Sequence, residues 1–304
     1  MDLWVELLHT AGTEPLAGLP FTLGVDIEGD QWTFFKFPVA DLEALYGVDV
    51  FELNVWRSLV ANVAEQLALG RPAIVEVDAF HLPDTAGTSY RTEHVKTSIG
   101  IQAMDLDGRR LGYFHNAGYY ELAGEDFLRV LRLEGHLTEP GCLPPYVEVV
   151  KLGARPAQAG HALHEASLAL LRAHLARRPT VNPFRRYAAR FPADLDALTG
   201  EPLPRFHSYA FATLRQCGAA FELAGAYLRW LETGGEGELE PVATACDQIA
   251  TTAKMLQFKT ARAINAHRAF DPTPMLDTMA TAWDETMGAL TTRYGPRTGP
   301  PVRQ

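Results

Sequence analysis

Cysteine is scarce in this chain: Cys142, Cys217 and Cys246 are scattered through 304 residues with no CxxC pair among them. That spacing excludes a disulfide framework and any zinc site built on paired thiols. Basic charge is short as well. The 27 Lys and Arg against 37 Asp and Glu leave a formal net charge of −10, which opposes general nucleic-acid binding because phosphate contacts need a basic surface to displace counterions. No apolar run approaches the roughly 18 to 20 residues that a membrane span requires. The opening "MDLWVELLHTAG" lacks the basic segment of a signal peptide. These absences predict a cytoplasmic protein with reduced thiols, no metal site, no bound cofactor, and no nucleic-acid or membrane partner. A composition of 47% hydrophobic and 21% charged residues still allows a substantial core.

What is present changes character half-way along. Residues 1–152 read as mixed α+β. "MDLWVELLHTAG" has helical spacing and stops at Gly12; "QWTFFKF" is aromatic and β-prone; "DLEALYG" is a short helix capped by Asp41; "ELNVWRSLVANVAEQLALG" is a longer amphipathic helix. "RPAIVEVDAFHLP" reads as a strand. "HVKTSIGIQAMD" and "RRLGYFHN" read as a hairpin turned at Asp107-Gly108, giving three strands covered by the preceding helices. "ELAGEDFLRVLRL" reads as a closing helix. Residues 153–294 read as all helix: an amphipathic "ALHEASLALLRAHLARR", a proline-punctuated connector of short turns, then three long helices. The first long helix carries a seam of Phe211, Leu214, Gly218, Phe221, Gly225 and Leu228, whose small residues allow close helix approach. Residues 295–304, rich in Pro, Gly and Arg, read as a flexible tail. Exposed faces of the long helices could pair two copies into a homodimer, or simply pack on one another.

Within the first half, His94 precedes one strand of the hairpin and Asn116 ends the other. An antiparallel hairpin whose turn lies at the far end brings its open ends together, so an Asn116 amide beside the His94 imidazole would fix its tautomer and leave the second nitrogen as a base. A lone histidine at a strand end is more often an ordinary polar surface residue. Asp78 interrupts an apolar strand; it is either a carboxylate satisfied by N–H groups of the following loop or a member of the site. Tyr90 and Tyr119 border the same candidate cleft. His115 should point to the opposite face and be structural. Cys217 and Cys246 lie in helical seams as small hydrophobes, and Cys142 sits in a loop with nothing near it to lower its pKa. "ARRPTVNPFRRYAAR" concentrates arginines, and Arg185 and Arg186 are its candidates for docking an anionic partner.

The succession "LYGVDV", "GRPAIVEVDAFHLP", "EHVKTSIGIQAMD", "LGYFHN" and "LAGEDF" resembles the papain-like architecture of C39-like peptidases. More closely it resembles the N-terminal domain of the butirosin biosynthesis protein H family, whose members transfer acyl groups from carrier-protein thioesters to amines. The whole chain, with "EGDQWTFFKFP", "NPFRRY" and "FATLRQCGAAFELA", looks like a bacterial family described only as a domain of unknown function, whose members often occur near carrier proteins and amino acid:carrier-protein ligases. The resemblance implies a papain-like domain over 1–152 followed by a helical domain over 153–294. It also implies His94 as the catalytic histidine, Asn116 as its orienting residue, and an acyl or aminoacyl carrier protein as partner. The phosphopantetheine arm would be the substrate, entering between the two domains. The family's nucleophile is the cysteine of an Asn-Cys pair just upstream of the segment matching "DLWVELLH", a position before Met1. Either the natural chain continues upstream and carries it, or the protein is a thiol-less homologue in which His94 is the base for direct attack by an amine or hydroxyl on the thioester. A thiol hydrolase and a silent carrier-docking module are the competing functions.

Overall fold

The computed structural model describes residues 1–34, 36–133 and 144–295. Two compact units emerge: Met1–Pro15 with Val39–Gln158, and Leu16–Pro38 with Ala159 onward. The boundary expected at residue 152 therefore misses one excursion, because Leu16–Pro38 belongs with the helical unit. The tail from residue 296, and Cys142, lie outside the described residues.

The first unit opens with helix α1 (Asp2–Thr10), whose Leu3, Trp4, Leu7 and Leu8 are buried. The excursion Leu16–Pro38 contributes two two-residue strands, β1 (Ile27–Glu28) and β2 (Gln31–Trp32), paired with each other. The chain then runs through α2 (Val39–Tyr46), β3 (Asp49–Glu52), α3 (Leu59–Ala68), β4 (Ala73–Asp78), β5 (Lys96–Asp105), β6 (Arg110–His115), β7 (Gly118–Ala123), α4 (Glu125–Val130) and β8 (Val147–Lys151). Strands β3 to β8 form one antiparallel sheet in the order β3-β8-β4-β5-β6-β7.

Alternation assigns the two faces. Val75, Val77, Ile99, Ile101, Leu111 and Tyr113 pack with Leu59 and Val63 of α3 and with Phe127 and Leu128 of α4. Gly100 faces the other way, and a side chain there would run into Leu3 and Leu7 of α1. The sheet is therefore covered on both sides, with α1 opposite α3. Two sequence-based expectations change. The helix expected from Glu52 starts only at Leu59, where Ser58 accepts the Ala61 N–H, because Asp49–Glu52 pairs with β8 instead. "GYYELA", whose last three residues were expected in the closing helix, is strand β7, so "RRLGYFHN" lies in the middle of a meander.

The second unit holds α5 (Gly160–Ala176), α6 (Pro183–Leu198), α7 (Leu203–Ala210), α8 (Gln216–Thr233), α9 (Glu240–Asn265) and α10 (Thr273–Tyr294). A π-helical turn, Phe211–Arg215, joins α7 to α8. The connector expected to hold short turns contains the 16-residue α6, whose start is set by Asn182: its Oδ1 accepts the Phe184 and Arg185 N–H groups while its amide donates to Ala280 O at 2.8 Å. Where "QWTFFKF" was expected as a strand, among its described residues only Gln31–Trp32 pairs, and Trp32 packs between Phe184 and Tyr187 at 4.8 and 5.8 Å. Gly218 and Gly225 do lie where α8 meets α9; added Cβ atoms would press on Ala253 and on Asp247 with Ala243 O. Phe211 leaves the expected seam, being 55% exposed, because the π-helical turn rotates it out of the α8 stripe.

Gly47 (φ +62) and Gly70 (φ +70) both adopt left-handed backbone, but a Cβ on Gly47 would meet the Arg155 carbonyl, whereas Gly70 faces open space. Ala at Gly70 should cost about 1 kcal/mol from backbone strain alone. Gly47→Ala should cost about 2 kcal/mol or more, read as the difference in urea unfolding midpoints; equal losses would contradict the packing assigned to Gly47.

Candidate functional site

The register of β4 on β5 pairs Asp78 with Lys96 and Val77 with Thr97. Asp78 and His94, two residues along on the adjacent chain, share the α1 face. Asp78 ends its strand and turns into a short 3-10 segment, accepting the Phe80 N–H at 3.0 Å. Its other oxygen meets His94 Nδ1 at 2.6 Å. The imidazole lies flat on Phe80, with ring centroids 4.4 Å apart and planes 10° from parallel. Two of the ring's degrees of freedom are thus fixed, its direction by the carboxylate and its plane by the phenyl. The His94 side chain is 71% exposed, so Nε2 faces outward with a lone pair when Nδ1 donates to Asp78. Partial burial would raise the Asp78 pKa, but the bonds from His94 and the Phe80 N–H outweigh it and hold the carboxyl below its ordinary value.

Around Phe80 a second tier forms. Arg91 stands 5.8 Å from the Phe80 ring centroid and 5.2 Å from that of Tyr90, and its guanidinium is ion-paired with Asp126. The Tyr90 hydroxyl donates to Asp126 at 2.8 Å. His81 lies edge-on to Phe80 at 5.1 Å and 3.5 Å from Arg91 through Nδ1. Burial above all lowers the His81 pKa, with Asp78 and Asp126 opposing and Arg91 and Arg129 adding to it. Arg91 holds φ +57, a left-handed conformation kept in place by its N–H bond to Phe80 O at 3.1 Å and by the side-chain pairings.

The opposite face of the same sheet end carries another array. His115 Nδ1 meets Asp84 Oδ2 at 2.6 Å, Thr97 Oγ1 lies 2.9 Å from His115 Nε2, and the Tyr113 hydroxyl donates to Asp84 Oδ1 at 2.6 Å. The Asp84 side chain is 2% exposed. Burial alone would raise its pKa, yet the hydrogen bonds from His115 and Tyr113 prevail and hold it low. Burial first, then the Asp84 bond, pushes the Tyr113 hydroxyl far above its ordinary range.

Asp78 and Tyr90 therefore join His94 in one connected network, while Asn116 does not. Strand β6 ends at His115, and Asn116, at φ +48, makes the two-residue turn into β7, where His115 pairs with Gly118. Its amide nitrogen lies 3.3 Å from His115 Nδ1. His94 is three residues beyond Thr97, roughly 10 Å further along the strand direction. The expected His94–Asn116 pair is replaced by His94–Asp78, because the meander turns back before it reaches the level of His94. Tyr119 lies across Phe114 at 5.2 Å and over Gly112 rather than in this network. Arg185 and Arg186 are each engaged, with Asp284 at 2.7 Å and with Asp26. Cys217 and Cys246 are buried, and burial pushes both thiols up to about 12, which leaves a negligible thiolate fraction near neutrality. Among the described residues no His, Cys, Asp and Glu cluster could hold a metal ion, and no helix is long and apolar enough to cross a membrane.

Residues 1–152 match the DUF1839 N-terminal domain and residues 160–292 the DUF1839 C-terminal domain. The chain belongs to the DUF1839 family. Among curated proteins none matches it. Within this DUF1839 chain, Asp84 and Thr97 escaped the reading of the sequence. Thr97 was hidden by alternation that marks it only as a strand residue, and Asp84 by a loop motif, "HLPDT", whose reach to His115 depends on tertiary folding.

The two carboxylate–histidine pairs predict different behaviour. Asp84 is buried, so Asp84→Asn should lose about 3 kcal/mol through the broken pair. Its folded pKa lies below the unfolded value near 3.9, so the stabilisation is fully present above that value and is lost as pH falls through the folded pKa. The gap in unfolding midpoints between wild type and Asp84→Asn should close as pH falls below about 4, where Asp84 protonates; a gap that persisted unchanged into stronger acid would refute the assignment.

Proposed function

We propose that the protein is an acyl or aminoacyl transferase with a papain-like, C39-like N-terminal unit, working in the cytoplasm on a carrier-protein thioester. The observation that carries this reading is the Asp78–His94 pair, an outward-facing imidazole whose Nδ1 is held at 2.6 Å by a carboxylate and whose plane is set by Phe80. Such an array suits general-base catalysis, because the orienting carboxylate selects the tautomer with a free Nε2 and stabilises the imidazolium that follows. The acceptor amine attacks the thioester carbonyl, Nε2 takes the amine proton, the C–S bond breaks, and the proton returns to the departing phosphopantetheine thiolate. No bound cofactor is needed, since the thioester is already activated. The buried thiols of Cys217 and Cys246 favour direct attack over a thiol intermediate drawn from the described residues. Arg185, 62% exposed beside its Asp284 partner, is the better placed of the two arginines to meet an acidic carrier, with an amino acid:carrier-protein ligase as a further partner.

The exposure of His94 favours one second reading, hydrolysis, because water reaches Nε2 as readily as an amine does. The two separate in one experiment. An aminoacylated carrier protein is incubated with the protein, with and without a panel of amines, and thioester loss and product are followed by mass spectrometry. Acceptor-dependent amide formation is expected, lowered about 100-fold or more in His94→Ala and less severely in Asp78→Asn. Free acid formed equally without acceptor would replace transfer by hydrolysis, and undiminished turnover by His94→Ala would end both.

A further inference from the structure

The array on the α3 face is not used by that reaction, and its parts are those of an acyl-accepting hydroxyl. Three geometric requirements recur where a hydroxyl acts as a nucleophile: a hydrogen bond to an imidazole nitrogen, a buried carboxylate on the other nitrogen, and access for an electrophile. Thr97 Oγ1 stands 2.9 Å from His115 Nε2 and Asp84 Oδ2 stands 2.6 Å from His115 Nδ1. With Asp84 ionised and accepting from Tyr113, His115 Nδ1 carries the hydrogen between the ring and Asp84, and in the neutral ring Nε2 is then the acceptor and the Thr97 hydroxyl its donor.

Access follows from the register. The β5–β6 ladder runs from Gly100↔Phe114 toward the Asp105 end, and β6 turns away at Asn116. Thr97 thus projects past the end of its neighbour and is only half-buried, while His115 behind it is 4% exposed. A purely packing role accounts for the bond between His115 and Asp84, and for Tyr113 closing the second oxygen. The Thr97 hydroxyl adds to it an O–H on a half-buried residue, bonded to a buried imidazole.

We propose that Thr97 is the nucleophile of a second acyl-transfer site, with His115 as its base and Asp84 as the orienting carboxylate, and that its substrate is a short acyl group on a thioester. The Thr97 oxygen attacks the carbonyl carbon as His115 Nε2 takes the hydroxyl proton. The C–S bond then breaks, and the leaving thiolate receives that proton, giving an acyl ester on Thr97 and a free thiol. Water activated by the same imidazole later returns the acid and restores the hydroxyl. This site is distinct from the Asp78–His94 pair, which lies on the α1 face of the sheet.

The test uses the full chain and acetyl N-acetylcysteamine thioester as the probe, with intact-mass measurement and peptide mapping. One acetyl group is expected, on the peptide containing Thr97. Labelling should persist in Thr97→Ser and fall at least about 100-fold in Thr97→Val and in His115→Gln, with thermal unfolding recorded for each to confirm a folded chain. Because Thr97→Val preserves the strand shape, its unfolding temperature should stay close to that of Thr97→Ser. Absence of any adduct on wild type between pH 6 and 9, an adduct on another residue, or equal labelling of Thr97→Val would overturn the proposal.

Discussion

The pairing register of β4 on β5 is the constraint on which both arrays depend. With Val77 opposite Thr97 and Asp78 opposite Lys96, the odd-numbered apolar positions of both strands enter the α3-side core, and Asp78 is turned toward α1 beside His94. A slip of one residue would exchange the faces, driving Asp78 into the core and Val77 out of it. The apolar burial of Val75, Val77, Ile99 and Ile101, each contributing on the order of 1.5–3 kcal/mol, therefore fixes the position of a single exposed imidazole. Core packing and site geometry share one cause.

The same register places two carboxylate–histidine pairs at one end of the sheet. Asp78–His94 is open to solvent and adds little to stability, as expected for an exposed pair; its geometry is suited to moving a proton. Asp84–His115 is closed and satisfied on both oxygens by His115 and Tyr113, as a buried charge must be. Burial, not residue type, separates their contributions to stability. Arg91, with its left-handed backbone and its bonds to Asp126 and Phe80 O, braces the loop that carries Tyr90 beside Phe80 and hence the plane on which His94 rests.

Much of this was legible in the sequence, and the reasons for the misses are local. Asp107-Gly108 announced the β5–β6 hairpin, Gly218 and Gly225 announced a close helix approach, His94 stood out at a strand end, and Asp78 stood out as a polar break in an apolar strand. Their mutual bond was not visible, because Asp78 and His94 sit 16 residues apart across a loop whose path no periodicity describes. The mistaken partner, Asn116, came from setting the open end of the "RRLGYFHN" strand level with His94 without a following strand; "GYYELA" lacked clean alternation, since Tyr119, Tyr120 and Glu121 are all exposed. Leu16–Pro38 was unplaceable for a similar reason, as Trp32 owes its burial to Phe184 and Tyr187, more than 150 positions away. The π-helical turn at Phe211–Arg215 left no mark on the hydrophobic spacing, so Phe211 was counted in a seam it does not join.

The central claim is that Asp78 fixes His94 as the Nδ1–H tautomer with Nε2 free to accept a proton. The most direct measurement is the set of ring-nitrogen chemical shifts of the chain labelled with 15N-histidine, with His94 assigned from the resonances missing in His94→Gln. At a pH where the ring is neutral, the account predicts a protonated Nδ1 and an unprotonated Nε2, reverting toward the mixed tautomers of free histidine in Asp78→Asn. A protonated Nε2 in the wild-type chain, or a spectrum unchanged by Asp78→Asn, would contradict it.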